Sequence, residues 1–347
     1  MTEFSKALDK LIKKKELSLE EAFEVASSAL KGELSEAQIS ALLVALRAKG
    51  ESPSEIAGFA LAMRSLCLRV GPWKEALDTA GTGGDGLNTF NASTASAIIL
   101  SAQVKVAKHG NRGVSSKNGS ADFLEALGYD IFVKPEEAER LLQGSGFVFL
   151  FAQLYHPLMK NVAPIRRALG IPTIFNVLGP LTNPAGVERQ VIGVYSPSLL
   201  LPIAQAISLM GAKSAYLVHG HPGMDEVSVS GNTEIIKINR KGYERFVITL
   251  EELKVKDPIS VEKLKVSGPE DSALRFLKAL KGKDPDIRTF IKANTAVALL
   301  ASESASSLSD ALDLAEHLIL NGYQTLVKVV TSHGTFDKIS ALEAKIA

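Results

Sequence analysis

DTAGTGGDGLNTFNASTASAIILSAQVKVAKHGNRGVSSKNGSAD, residues 78–122, holds two glycine-rich loops on either side of one apolar segment. The first loop, Gly81-Thr82-Gly83-Gly84-Asp85-Gly86, follows a short apolar run ending at Leu77. It leads into Asn91-Ala92-Ser93-Thr94, which reads as a helix start. Strand, glycine loop and helix N-terminus, in that order, make an anion site. Glycines let backbone N–H groups approach a phosphate, and the first helical turn adds unpaired donors and the positive end of a dipole. The second loop, Lys108-His109-Gly110-Asn111-Arg112-Gly113, follows a β-like run from Val104 to Ala107 and adds two cations and several amide and hydroxyl donors. Neither loop is a P-loop or a dinucleotide fingerprint: GxxxxGK[ST] is absent, and the spacing in GTGGDG is not GxGxxG. A lone glycine cluster is most often just a turn. Two polar clusters, both at strand ends, point to a phosphate site.

Upstream of this stretch the chain reads as helices. Phe4, Leu8, Leu11 and Ile12 share one helical face. Ser18-Leu19-Glu20-Glu21 and Ser35-Glu36-Ala37-Gln38 are capping boxes, and Ser52-Pro53-Ser54-Glu55 opens a further helix with proline at its first position. Gly71-Pro72 ends the pattern. From Trp73 on, β-like runs recur at 76–78, 104–107, 130–133, 147–151, 190–195, 214–218 and 233–238, with amphipathic helical stretches between most of them. The tail from about Asp271 reads as helices. The expected fold class is α/β: a small N-terminal α-helical domain (1–71) plus a large α/β domain (72–347) with a central, mostly parallel sheet flanked by helices. Between Tyr155 and Pro184 the alternation breaks. The greasy, proline-punctuated run Ile171–Pro184 is too apolar for a free loop, so a returning segment at about 168–185 is expected to pack on the helical domain and bring Arg166 near the cleft.

Composition excludes several classes. Lys plus Arg number 39 and Asp plus Glu 38 in 347 residues, a net charge of +1 that calls for no nucleic-acid or membrane partner. Cys67 is the single cysteine, so no intrachain disulfide can form. The charged, amphipathic start lacks an apolar signal core, and no run approaches a membrane span, so a cytoplasmic location is expected. Asp225-Glu226, in the turn His219-Gly220-His221-Pro222-Gly223-Met224-Asp225-Glu226, pairs hard oxygen donors suited to Mg²⁺, which commonly bridges carboxylates to substrate phosphates. The two histidines find no further Cys or His at zinc spacing and read as structural.

Taken together, DTAGTGGD (78–85), NAST (91–94), KHGNR (108–112), GSAD (119–122), FNVLGPLTNP (175–184) and GMDE (223–226) resemble the anthranilate phosphoribosyltransferases, in the same order along nearly the whole chain. The resemblance implies transfer of the phosphoribosyl group from 5-phosphoribosyl 1-diphosphate to the anthranilate amine, with Mg²⁺ as cofactor and a homodimer formed through the α-domain. It implies that Gly81, Gly84, Asp85, Thr89, Asn91, Ser93, Thr94, Lys108, Asn111, Arg112, Gly113, Ser115, Ser116 and Ser120 hold the donor. Gly81, His109, Asn111 and Arg166 would contact anthranilate, and Ser93, Asp225 and Glu226 would ligate Mg²⁺. No general base is assigned. Two alternatives share the architecture: a pyrimidine nucleoside phosphorylase, whose lysine-serine phosphate motif is not found here, and a non-catalytic, nucleic-acid-binding paralogue, which the near-zero net charge and the intact KHGNR loop disfavour.

Overall fold

Three serines begin the fold. In the computed structural model, which describes residues 2–113 and 118–346, Ser18, Ser35 and Ser52 cap helices α2 (Leu19–Lys31), α3 (Glu36–Lys49) and α4 (Pro53–Ser65), following α1 (Glu3–Ile12). Each serine accepts the N–H of the residue three positions on. Glu21, Gln38 and Glu55 reach back to the cap N–H, so the two expected capping boxes close and Ser52–Glu55 forms a third.

Seven strands form one sheet in the order β3-β2-β1-β4-β5-β6-β7. They are β1 (Leu77–Gly81), β2 (Val106–Gly110), β3 (Phe147–Phe151), β4 (Arg189–Gly193), β5 (Ser214–Gly220), β6 (Thr233–Asn239) and β7 (Gly242–Ile248). The first five run parallel, and β6 and β7 are antiparallel. Two helices carry the glycine loops into the layer above: α5 (Ala92–Leu100) and α6 (Ser120–Leu127).

Side-chain alternation sends the two faces of the sheet into different cores. Val191, Tyr216, Val218 and Ile235 join α5 and the long helix Pro285–Ala301. Ile192, Ala215, Leu217 and Ile236 join the N-terminal helices. The same second core takes in Ile174, Phe175, Leu178 and Leu181 from the connection after Arg166. Phe175 meets Phe59 of α4 edge-on at 6.0 Å, and Arg64 donates its Nε–H to the Leu181 carbonyl at 2.7 Å.

Three sequence expectations need correction. Residues 130–133 are not a strand. Ile131 and Val133 are buried and Phe132 is 54% exposed, but the stretch is held by the Asp130 N–H on the His333 carbonyl rather than by a sheet edge. Second, the sequence pattern does not reveal β7. GYERFVI is exposed along most of its length and carries little apolar periodicity; its pairing is set by a tight hairpin with β6, Asn239 opposite Gly242. Third, β2 extends through Lys108 and His109 to Gly110 because these residues pair with Phe149, Leu150 and Phe151 of β3. Lys108 and His109 therefore point from a strand, not from a loop.

Glu55 is fully buried, ion-paired to Lys49 at 3.0 Å, and accepts the N–H groups of Leu17 and Ser52. Glu55→Ala is expected to cost about 3–5 kcal/mol, since it strands a buried cation and two buried donors. Chemical denaturation measures this directly; a loss below about 1 kcal/mol, the scale of an exposed pair, would reject it.

Candidate active site

The two polar loops open at the carboxyl ends of the parallel strands, where ligands bind in open α/β sheets. β1 ends at Gly81 and β4 at Gly193, and both glycines face Asp225. A Cβ on Gly81 would lie 2.3 Å from the Asp225 carboxylate, and one on Gly193 would lie 1.6 Å from its carbonyl oxygen, so neither position admits a side chain. That close approach seats the acidic turn on the strand ends. Asn294 secures it from behind, exchanging hydrogen bonds with the N–H and C=O of Val227 at 2.9 and 3.0 Å.

Asp225 and Glu226 then meet Asp85 of the first loop, one oxygen of each lying within 4.8 Å of the others. The Gly83 N–H donates to Asp225 at 2.7 Å and the Thr89 hydroxyl to Glu226 at 3.2 Å. Burial pushes the Asp225 carboxyl up to about 6, helped by the charge of Asp85. Burial, then Asp225 and Asp85, push Glu226 well above the ordinary carboxylate range. Three hard oxygen donors, crowded and short of positive charge, suit a divalent cation. The sequence indicated the adjacent pair. It did not indicate Asp85 as a third member, because residue 85 and residue 225 meet only through the sheet.

Asn91 caps α5, its side chain accepting the Thr94 N–H at 3.0 Å and the Ser93 hydroxyl at 3.3 Å. Lys108 is fully buried, and its ammonium donates to the Thr79 carbonyl and to the Ser93 hydroxyl, the latter at 3.4 Å. Burial lowers its pKa to about 8, against the opposing pull of Asp78 and Glu226. Asp78, equally buried, accepts the His109 N–H at 3.1 Å and the Asn183 side-chain amide at 2.8 Å. Neither Asp78 nor Asn183 was singled out from the sequence, although both sit inside the quoted motifs.

His109 is 5% exposed, its Nδ1 is 3.2 Å from the Gly179 carbonyl, and its ring stands edge-on to His156 at 5.1 Å. Burial and then the neighbouring His156 push its pKa well below normal, and burial holds His156 at about 4, so both rings are neutral near pH 7. Neither Nε2 finds a partner among the described residues.

Gly84 lies beside the Tyr195 ring. Ser120 opens α6 and packs on Gly110. Arg166 sits on the helix Ala163–Leu169 with its guanidinium 5.2 Å from the Phe175 ring centre, and no carboxylate among the described residues pairs with it. The Asn111 side-chain oxygen accepts the Arg112 N–H at 2.8 Å. Arg112 itself is turned toward Asp122 and Glu125, and the Gly113 N–H donates to Asp122. Ser115 and Ser116 lie outside the described residues.

Fold and site together define an enzyme class that handles a phosphorylated donor at the ends of a parallel sheet, below a helical bundle. The glycosyl transferase family profiles match accordingly, its helical bundle domain over residues 5–67 and its a/b domain over residues 73–325. Anthranilate phosphoribosyltransferase of Saccharolobus solfataricus is 48% identical over 338 residues, 97% of each chain. The crystal structure of the Thermus thermophilus anthranilate phosphoribosyltransferase superposes with a TM-score of 0.87 at 40% identity, covering 94% of this chain and 98% of that one. The Saccharomyces cerevisiae enzyme, solved in complex with PRPP and Mg, gives 0.84 at 31% identity over 95% and 97%. The chain belongs to the anthranilate phosphoribosyltransferase family of glycosyl transferases.

The raised value of Asp78 has a signed consequence. Its carboxyl binds a proton more tightly folded (about 6) than at the ordinary 3.8, so its contribution to stability is greatest at low pH and falls as pH rises through that interval. The stability of the native chain relative to Asp78→Asn is therefore expected to drop by about 3 kcal/mol between about pH 3.5 and pH 7. Denaturation at both pH values tests this; a pH-independent difference would refute it.

Proposed function

We infer that this chain transfers the 5-phosphoribosyl group of 5-phosphoribosyl 1-diphosphate to the amine of anthranilate, releasing diphosphate, the step named by its relatives. The observation that carries this is the meeting of Asp85, Asp225 and Glu226 with the first donor-rich loop at the carboxyl ends of the parallel strands, where β2 also brings Lys108 to Ser93. Phosphorolysis by a pyrimidine nucleoside phosphorylase and a non-catalytic role, which share the architecture, are set aside by the 48% identity to a named anthranilate phosphoribosyltransferase along 97% of the chain.

The residues divide the work by charge. Gly81, Gly84, Asp85, Thr89, Asn91, Ser93, Thr94 and Ser120, with Lys108 on β2 and Asn111, Gly113, Ser115 and Ser116 beyond it, are assigned to the donor. Their N–H, hydroxyl and ammonium groups oppose the charge of its phosphates. Asp225 and Glu226, with Ser93, are assigned to Mg²⁺. Bound there, the cation would neutralise the diphosphate and make it a better leaving group. The C1–O bond breaks, diphosphate takes the electron pair, and the ribosyl carbon becomes oxocarbenium-like. The anthranilate nitrogen then forms the C1–N bond. An aniline is uncharged and nucleophilic near neutral pH, and the proton it sheds after attack needs no strong base. Positioning and electrostatics supply the rate, each with several kcal/mol available. Arg166, without a carboxylate partner among the described residues, is assigned to the anthranilate carboxylate. Gly81, Asn111 and the neutral His109 ring line the acceptor's path.

We also propose the division into domains 1–71 and 72–347, with residues 168–185 returning to the helical part. A homodimer through that part fits the apolar side chains left exposed there, Ile12 at 69% and Val44 at 41%. No helix among the described residues is long and apolar enough to cross a membrane, in keeping with a cytoplasmic biosynthetic role, and a net charge of +1 fits the absence of a nucleic-acid partner.

Purified protein mixed with anthranilate, the donor and Mg²⁺ should quench anthranilate fluorescence only when all are present; no quenching by folded protein would reject the activity. Arg166→Ala should raise the KM for anthranilate roughly 100-fold while moving the donor KM less than about 3-fold, and equal effects on both would sink the assignment. Replacing Asp225→Asn and Glu226→Gln together should abolish Mg²⁺-dependent turnover and the thermal shift that Mg²⁺ produces in the native protein. A double variant that keeps either would reject their role.

A further inference from the structure

The resemblance assigns Arg112 to the donor site, yet the bonds of its guanidinium go elsewhere. Its Nη1 pairs with Asp122 at 3.0 Å, and Nη1 and Nη2 grip Glu125 at 2.5 and 2.9 Å. Those two acids sit one turn apart on α6 and so share a helix face. Asp122 does more: one of its oxygens accepts the Gly113 N–H at 2.8 Å and the Gly119 N–H at 3.1 Å. The backbones there are in direct contact. A Cβ on Gly119 would lie 2.1 Å from the Gly113 nitrogen and 2.4 Å from the Arg112 carbonyl carbon. The Asn111 carbonyl completes the junction by accepting the Ala121 N–H at 3.2 Å. One carboxylate thus ties together the two strands of chain at the base of the second loop, and one guanidinium locks that carboxylate to the helix.

We propose that Arg112, Asp122 and Glu125 are positioning residues for the donor site. They clamp the loop base on α6 so that Asn111 and the Gly113 backbone stand preorganised, and Arg112 does not itself contact the diphosphate. This goes beyond the activity inferred above and rests on it. The physical ground is competition. A guanidinium already holding a bidentate carboxylate and a second acid must break charge-assisted bonds to turn toward another anion. Charge also favours the clamp, since the two carboxylates hold Arg112 well above the ordinary guanidinium range.

The clamp and direct contact predict opposite responses to Glu125, which meets the second loop through Arg112 and is one-third exposed, so its replacement leaves the fold standing. With the clamp, Glu125→Gln raises the donor KM about 10-fold, Arg112→Gln does the same, and the double variant is no worse than either, because both changes remove one device. The anthranilate KM should move less than about 2-fold. Asp122→Asn should raise the donor KM at least as far, while Glu125→Asp recovers part of the loss. Direct contact would instead leave the donor KM unchanged or lower in Glu125→Gln, with Arg112 freed, and Arg112→Gln alone would raise it. That result overturns the proposal, as would additive effects in the double variant. Calorimetric titration of the donor into each variant separates these outcomes from loss of the transferase activity itself, because it reads binding without turnover.

Discussion

A carboxylate with no contact to water organises the centre of this molecule. Asp78 lies on β1, accepts the backbone of β2 at His109, and accepts the amide of Asn183 from the returning segment. Asn183 also donates to the Ala107 carbonyl, so three separated parts of the chain share one small polar knot. An ionised group in that setting is costly unless its partners are complete. The partners are Lys108 nearby, two N–H donors, and Arg64 at longer range, and they come from β2, the returning segment and α4. The strand order, the return of the greasy connection and the inward aim of Lys108 are in this sense one constraint.

From that knot the polar groups graduate outward in charge. Lys108 is lowered toward neutrality by burial yet kept cationic by Asp78 and Glu226, and it touches the helix start at Ser93. Beyond it the acidic trio is pushed the other way, short of positive charge. A donor carrying a diphosphate and its metal would supply what both halves lack, anions for the loops and a cation for the acids. The side proposed for the acceptor is different in kind: two neutral imidazoles edge-on, and an arginine resting on an aromatic ring without a carboxylate partner among the described residues. A flat aromatic acid fits those surroundings better than a second phosphate does.

The helical domain was legible residue by residue, because a capping box is a local device: Ser18 and Glu21 find each other within one turn whatever the rest of the chain does. Strands fully buried on both faces, such as FVFLF at 147–151, were equally plain. The strand at 242–248 was not, since its side chains face solvent and only the hairpin with β6 defines it. Nor was the connector at 130–133, whose alternation of buried and exposed residues mimics a strand while its hydrogen bonds go to the chain near His333.

The sequence alone determined the parts: two donor-rich loops, an acidic pair, an arginine on a short helix, and the order in which they occur. Those follow from residue types and short-range spacing, which act within a turn or a strand. Tertiary structure decided which parts meet. Asp85 joins Asp225 and Glu226 across about 140 residues because parallel pairing sets the ends of β1 and β4 side by side, and glycines at both ends let the acidic turn approach. It decided equally that Arg112 turns to Asp122 and Glu125, a choice between competing anions that no spacing along the chain reveals.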